Sequence, residues 1–135
     1  MKAIDTNVLA RFFINDPDDA EASRQRPFAV AALSERAFVS VTVLLEFEWV
    51  MRGFYAFARP DVAHAMRSLV SIEHVSIEDR GAVLAALEGF AQGLDFADAL
   101  HLARSSRVSA FLTFDRRLAK RAKDLAMSPP VEWLA

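Results

Sequence analysis

The spacing of the short apolar runs constrains this chain most. "KAI" (2–4), "AFVSV" (37–41), "IEHVS" (72–76) and the apolar part of "SAFLTF" (109–114) have the length and residue types of strands, and a last short edge strand is expected near Val131. Stretches of helical periodicity separate them, long enough to cross between parallel strands and too long for hairpins. No Asn-Gly or Asp-Gly pair offers a tight hairpin turn. Helices are expected over 6–14, 18–34 (with Pro27 placed to kink or split it), 42–54, 60–71, 77–90, 96–107 and 116–125. Within 42–54, Val43, Phe47, Val50 and Phe54 fall on one face. The expected class is α/β, with a small, mostly parallel sheet covered on both sides by helices. Such sheets place their chemistry beyond the carboxyl ends of the strands.

Composition narrows the function classes. The 135 residues fit one domain, 1–135, and 53% hydrophobic against 25% charged residues make the chain globular rather than disordered. A net charge of −2 argues against gripping nucleic acid by bulk charge, without excluding a local basic patch. No cysteine is present, which removes disulfides, thiolate zinc sites and cysteine nucleophiles. The most apolar stretch, 38–51, is too short to span a bilayer and carries two glutamates, and no basic-then-apolar leader opens the chain. A soluble, cytoplasmic protein is expected. The four glycines form neither a dinucleotide-binding pattern nor a P-loop, and no nucleophile elbow occurs.

The carboxylates carry the remaining signal. "KAI" runs into Asp5 and "AFLTF" runs into Asp115, so both acids fall at the carboxyl end of a strand and just before a helix. Either can be a helix N-cap, and a carboxylate has a second oxygen for another duty. Glu46 lies in "TVLLEFEWV", where burial without a partner is costly. Glu48, about 200° further round the helix, points elsewhere, so one of the two can be solvated while the other faces inward. The periodicity puts Glu46 with Val50 and Gly53, against the apolar side. In "GLDFADALHLA" (93–103), Asp95 is the natural N-cap and Asp98 lies in the first turn of a helix that is apolar nearly all round. Each acid alone reads equally well as a cap or a surface charge. If Asp5, Glu46, Asp98 and Asp115 converge, their repulsion calls for a hard divalent cation, and an all-oxygen set selects Mg²⁺ or Mn²⁺. His64 and His74 read as surface or structural residues, and His101, one turn after Asp98, is placed to line such a site.

Together, "IDTNVL", the glutamate of "TVLLEFEWV", "FADALHLA" and "LTFD" resemble the PIN-domain ribonucleases, in particular VapC-type toxins of bacterial type II toxin–antitoxin pairs. The resemblance runs over nearly the whole chain. It implies a three-layer α/β/α sandwich and Mg²⁺- or Mn²⁺-dependent hydrolysis of RNA phosphodiesters. It also implies a homodimer and a cognate antitoxin. Asp5 and Asp98 match the principal metal ligands, Glu46 the glutamate of the acidic pocket, and Asp115 the fourth acid. Asn7 and Thr113 match positions that orient Asp5 and Asp115 by hydrogen bonding. Asp95 matches no core acid and reads as a cap or rim residue.

Two further stretches bear on partners. "RRLAKRAKD" (116–124) supplies Arg116, Arg117, Lys120 and Arg121 directly after Asp115, either as an ordinary solvated face or as RNA contacts; Lys123 belongs to the same run. "GFYAFAR" (53–59) packs three aromatics into seven residues, either as core or as an apolar groove for a dimer mate or an antitoxin helix. A housekeeping nuclease of the same fold, or a non-enzymatic α/β binding module whose acids are caps, remain the alternatives.

Overall fold

Each strand is only two or three residues long, and every pairing between strands is parallel. The computed structural model describes all residues, Met1–Ala135, in two compact units, Met1–Arg80 and Gly81–Ala135. In the first unit β1 (Lys2–Ala3), β2 (Ala37–Val39) and β3 (Val75–Ile77) pair in that order, with Ala3 opposite Phe38 and Val39 opposite Ile77. In the second, β4 (Phe111–Thr113) pairs with β5 (Val131–Trp133), Phe111 opposite Val131.

Helices make the crossovers that parallel pairing demands. α1 (Thr6–Phe13) and α2 (Ala20–Leu33) join β1 to β2. α3 (Val41–Trp49), a π-helical turn (Val50–Phe54) and α4 (Arg59–Ser71) join β2 to β3. α5 (Arg80–Ala91) and α6 (Phe96–Ala103) precede β4, and α7 (Arg116–Asp124) joins β4 to β5. The fold is therefore α/β, with seven α-helices and small parallel sheets. No helix is long and apolar enough to cross a membrane.

Side-chain caps set most helix starts. Asp5, Asp19, Ser40, Asp95 and Asp115 each accept a backbone N–H from the turn they open. Pro27 does not split α2. It and Ser23, whose carbonyl loses its usual helical partner, are both exposed, so water can take the missing place. The expected helix over 42–54 changes character at Val50, where the Tyr55 N–H reaches back five residues to the Val50 carbonyl at 3.1 Å. β3 lies three residues later than expected. Ile72 closes α4, and the period-two pattern that buries Val75 and Ile77 while exposing Ser76 begins only afterwards. α6 stops at Ala103 because its apolar face ends there; the following "RSSR" has nothing to bury.

The core of the first unit is built from α1 packed on α2 and α3, and α4 on β3. Leu9, Leu44, Phe47, Val62, Met66 and Leu69 are fully buried, and the Phe13 and Phe47 rings lie 5.5 Å apart. In the second unit Phe90 and Phe96 meet edge to face at 6.0 Å. Two glycines set that packing. Gly93 has φ of +105°, and the bonds Gly93 N–H to Phe90 O and Leu94 N–H to Gly89 O close the end of α5. Gly89 faces Ala99 of α6 so closely that a Cβ added there would lie 3.2 Å from the Ala99 Cβ.

Candidate active site

The carboxyl end of β1 delivers Asp5, whose extended backbone (φ −82°, ψ 161°) starts α1. Its Oδ1 accepts the Thr6 N–H at 2.8 Å, which leaves Oδ2 out of the cap. Asp5 is exposed. α3 carries Glu46 and is anchored at its start twice: Ser40 Oγ accepts the Val43 N–H, and Glu78 Oε1 accepts the Val41 N–H at 2.9 Å. Because α1 packs on α3, Asp5 and Glu46 line one cavity of ≈ 320 Å³. Asn7, Arg11, Phe54 and Tyr55 line it too.

The two glutamates of α3 divide as the sequence allowed, one facing inward and the other solvated. Glu48, not Glu46, faces inward: it is 2% exposed, and both of its oxygens accept from Arg52 Nε at 3.1 and 3.2 Å. Glu46 is exposed and free to meet a ligand in the cavity. Asn7 shares the cavity wall but makes no hydrogen bond to Asp5. Thr6, also in the wall, has its Oγ1 buried with no hydrogen-bond partner.

In the second unit, Asp95 caps α6 through Oδ2, which accepts the Asp98 N–H at 3.3 Å. Asp98 is half-buried. Burial pushes its carboxyl above the usual carboxylate range, the charges of Asp95 and Asp115 push it further, and His101 acts in the opposite direction. Asp115 sits just beyond β4 and caps α7, its Oδ1 accepting the N–H groups of Arg117 and Leu118 at 3.0 and 3.1 Å. Thr113 Oγ1 accepts the Asp115 N–H at 2.9 Å, so it fixes the backbone at Asp115 rather than touching the carboxylate. Arg116, Arg117, Lys120 and Arg121 are all exposed on α7. Lys120 pairs with Asp124 at 3.0 Å, Arg116 lies 4.1 Å over the Trp133 ring, and Arg121 donates to the Gly93 carbonyl.

These donors suit a hard cation. The first unit brings two carboxylates into one cavity, and Asp5 keeps an oxygen that its cap does not use. In the second, burial first and the charges of Asp95 and Asp115 after it oppose ionisation of Asp98, which a bound cation would reverse. No group of three or more acidic or histidine side chains stands ready to hold an ion. Mg²⁺ does not demand one: it keeps several waters and is held through one or two carboxylates.

Arg11 is the cavity residue that the sequence reading passed over. Its signal was the four-residue spacing from Asn7, which puts both on one face of α1. The signal for Glu48 was likewise its four-residue spacing to Arg52.

Comparison with known protein families matches residues 2–124 to the PIN domain. Neither the curated proteins nor the solved structures contain a match to the chain.

Proposed function

The chain belongs to the PIN-domain family, and from that premise we propose that it is a metal-dependent endoribonuclease, the toxin of a toxin–antitoxin pair. PIN domains are generally nucleases, act on RNA and typically use divalent metal ions. The family match runs unbroken past residue 80, where one compact unit gives way to the next in sequence, which supports reading 1–135 as one domain.

In this reading the carboxylates that serve Mg²⁺ or Mn²⁺ are Asp5 and Glu46 of the first unit and Asp98 and Asp115 of the second. The observation that carries it is the cavity lined by both Asp5 and Glu46, residues 41 apart in sequence. When bound, such an ion lowers the pKa of a coordinated water and neutralises charge on the phosphoryl oxygens. The chain supplies the rest. Capping holds Asp5 and Asp115 in fixed rotamers, Thr113 fixes the backbone that presents Asp115, and Asn7 lies beside Asp5 to contact a ligand. Glu46, exposed and unpaired, is placed to take the proton of the attacking water. Arg116, Arg117, Lys120 and Arg121 offer phosphate contacts along α7. A cognate antitoxin, a homodimeric state and a cytoplasmic site of action complete the proposal.

The test is cleavage of a structured RNA with Mg²⁺ or Mn²⁺. Asp5→Asn and Asp98→Asn should each abolish it, and EDTA should stop the parent. Variants that cleave as well as the parent would remove the metal-site reading. Expression should arrest growth, and the neighbouring reading frame should relieve the arrest; harmless expression in several hosts counts against the toxin.

A further inference from the structure

The match to the PIN domain ends at Asp124, so β5 and its Trp133 lie beyond the residues that family membership accounts for. Trp133 is 40% exposed and fills no core. It stands instead against the turn that leads from β4 into α7. Thr113 of β4 lies opposite Trp133, and the Leu134 N–H donates to the Thr113 carbonyl at 3.0 Å. With the strand held in that register, the Trp133 indole N–H donates to the Phe114 carbonyl at 3.2 Å, and the Arg116 guanidinium lies over the Trp133 ring at 4.1 Å. One indole thus grips the chain on both sides of Asp115. The Asp115 N–H goes to Thr113 Oγ1 and its Oδ1 caps α7, which leaves Oδ2 for a ligand. Arg116 also differs from its neighbours on α7. Lys120 is paired with Asp124, Arg121 donates to the Gly93 carbonyl, and the Arg117 side chain is anchored by nothing. Arg116 forms no hydrogen bond or ion pair through its side chain, so all five N–H donors are free while the ring limits where they can go. A guanidinium held by a ring face rather than by an acid keeps its charge for a phosphate and loses less freedom on binding one.

We propose that Trp133 is a positioning residue: through the Phe114 carbonyl it sets the Asp115 carboxylate, and through its ring it presets Arg116 for a phosphate of the RNA. The inference rests on the nuclease reading and adds to it a residue that acts through two others. In this role the indole touches neither an ion nor a phosphate. Its two contacts are chemically separable. Phenylalanine keeps a ring beneath Arg116 and has no N–H, so Trp133→Phe releases only the carbonyl. Leucine offers neither, so Trp133→Leu releases both. Arg116→Gln removes the guanidinium and leaves the hydrogen bond to Phe114 in place.

Mn²⁺ binding is followed by titration calorimetry, and binding of a short fluorescent RNA by anisotropy in EDTA, for the parent and each variant. Trp133→Phe should weaken Mn²⁺ binding about 2- to 10-fold, the range for loss of one hydrogen bond, and leave RNA affinity close to that of the parent. Trp133→Leu should weaken RNA binding as well, by about 2- to 5-fold, the range for an exposed cation–π contact. Its salt slope should stay that of the parent, because Arg116 keeps its charge, whereas Arg116→Gln should lower the slope by about 0.7. Trp133→Leu added to Arg116→Gln should weaken RNA binding no further, since Trp133 acts on RNA only through Arg116. A tryptophan that merely packs β5 would lower the melting temperature without producing this pattern. Trp133→Phe binding Mn²⁺ as tightly as the parent, or Trp133→Leu binding RNA as tightly, overturns the positioning role. Additive losses in the double variant overturn it too, by showing that the indole contacts RNA itself. The nuclease reading fails by a different result. A parent that binds Mn²⁺ and RNA in this pattern yet cleaves nothing removes the activity and leaves the role of Trp133 standing; a parent that binds neither removes both.

Discussion

Gly89→Ala sets two effects of known size against each other at the junction of α5 and α6. Alanine in place of a helical glycine contributes about 0.8–1.0 kcal/mol through propensity. Its Cβ would stand 3.2 Å from the Ala99 Cβ, 3.2 Å from Leu94 Cδ1 and 3.3 Å from Met127 Cε. Leu94 and Met127 can swing their side-chain ends aside, but the Ala99 Cβ moves only if α6 moves. Relief of a few tenths of an ångström there, in a buried contact, belongs to the overpacking class that costs about 1–3 kcal/mol. The net expectation is destabilisation by about 1 kcal/mol, a melting temperature lower by roughly 3–5 °C for a chain of this length. Thermal unfolding followed by circular dichroism in EDTA reads it, and Gly89→Val should fall considerably further. An alanine variant melting several degrees above the parent would show that propensity governs and that the α5–α6 approach is not tight. Because Asp98 precedes Ala99 on the displaced helix, the alanine variant should also need more Mn²⁺ for half-maximal activity.

Arg52→Ala leaves the buried Glu48 without its ion-pair partner and, with Arg52 itself partly solvated, should cost about 1–3 kcal/mol in denaturant unfolding, whereas replacing both residues by apolar ones of similar volume should restore most of it. Asp98 has a carboxyl pKa raised in the folded state. Its contribution to stability is therefore present below the unfolded value near 3.9 and lost as pH rises through the folded value. In EDTA, Asp98→Asn should thus be more stable than the parent at pH 7, with the gap closing as pH falls below 4, and Mn²⁺ should raise the melting temperature of the parent more than that of the variant. Asp115→Ala removes two cap bonds of α7 and should lose about 1 kcal/mol. Asp115→Asn keeps an accepting oxygen and should hold stability while activity falls; equal activity in Asp115→Asn and the parent would leave Asp115 a cap and nothing more.

Much of this was legible because local rules agreed with one another. The caps at Asp5, Asp95 and Asp115 follow from an acid between an apolar run and a helical period, and all three carboxylates do accept the N–H bonds expected of them. The parallel pairing followed from the lengths of the crossovers. The glutamates of α3 were harder to assign. With Leu44, Leu45, Phe47 and Trp49 around them, nearly every face of that helix is apolar, so periodicity could not choose between Glu46 and Glu48. Packing against α1 and α4 made the choice, and Arg52 made burial of Glu48 tolerable. The aromatic run of 53–59 was equally ambiguous, since no sequence period marks the switch to a π turn that leaves Phe54 exposed.

The sequence by itself determined the α/β class, the order of the elements and the acids that end strands or open helices, because those depend on periods and on near neighbours along the chain. Tertiary structure decided that Glu46 shares a cavity with Asp5, that Glu48 is buried, and that Arg11 is held by Tyr55 and Gln25, 44 and 14 residues away. Those outcomes depend on how far helices approach and at what angle. Packing between distant segments sets that approach, and residue spacing along the chain does not encode it.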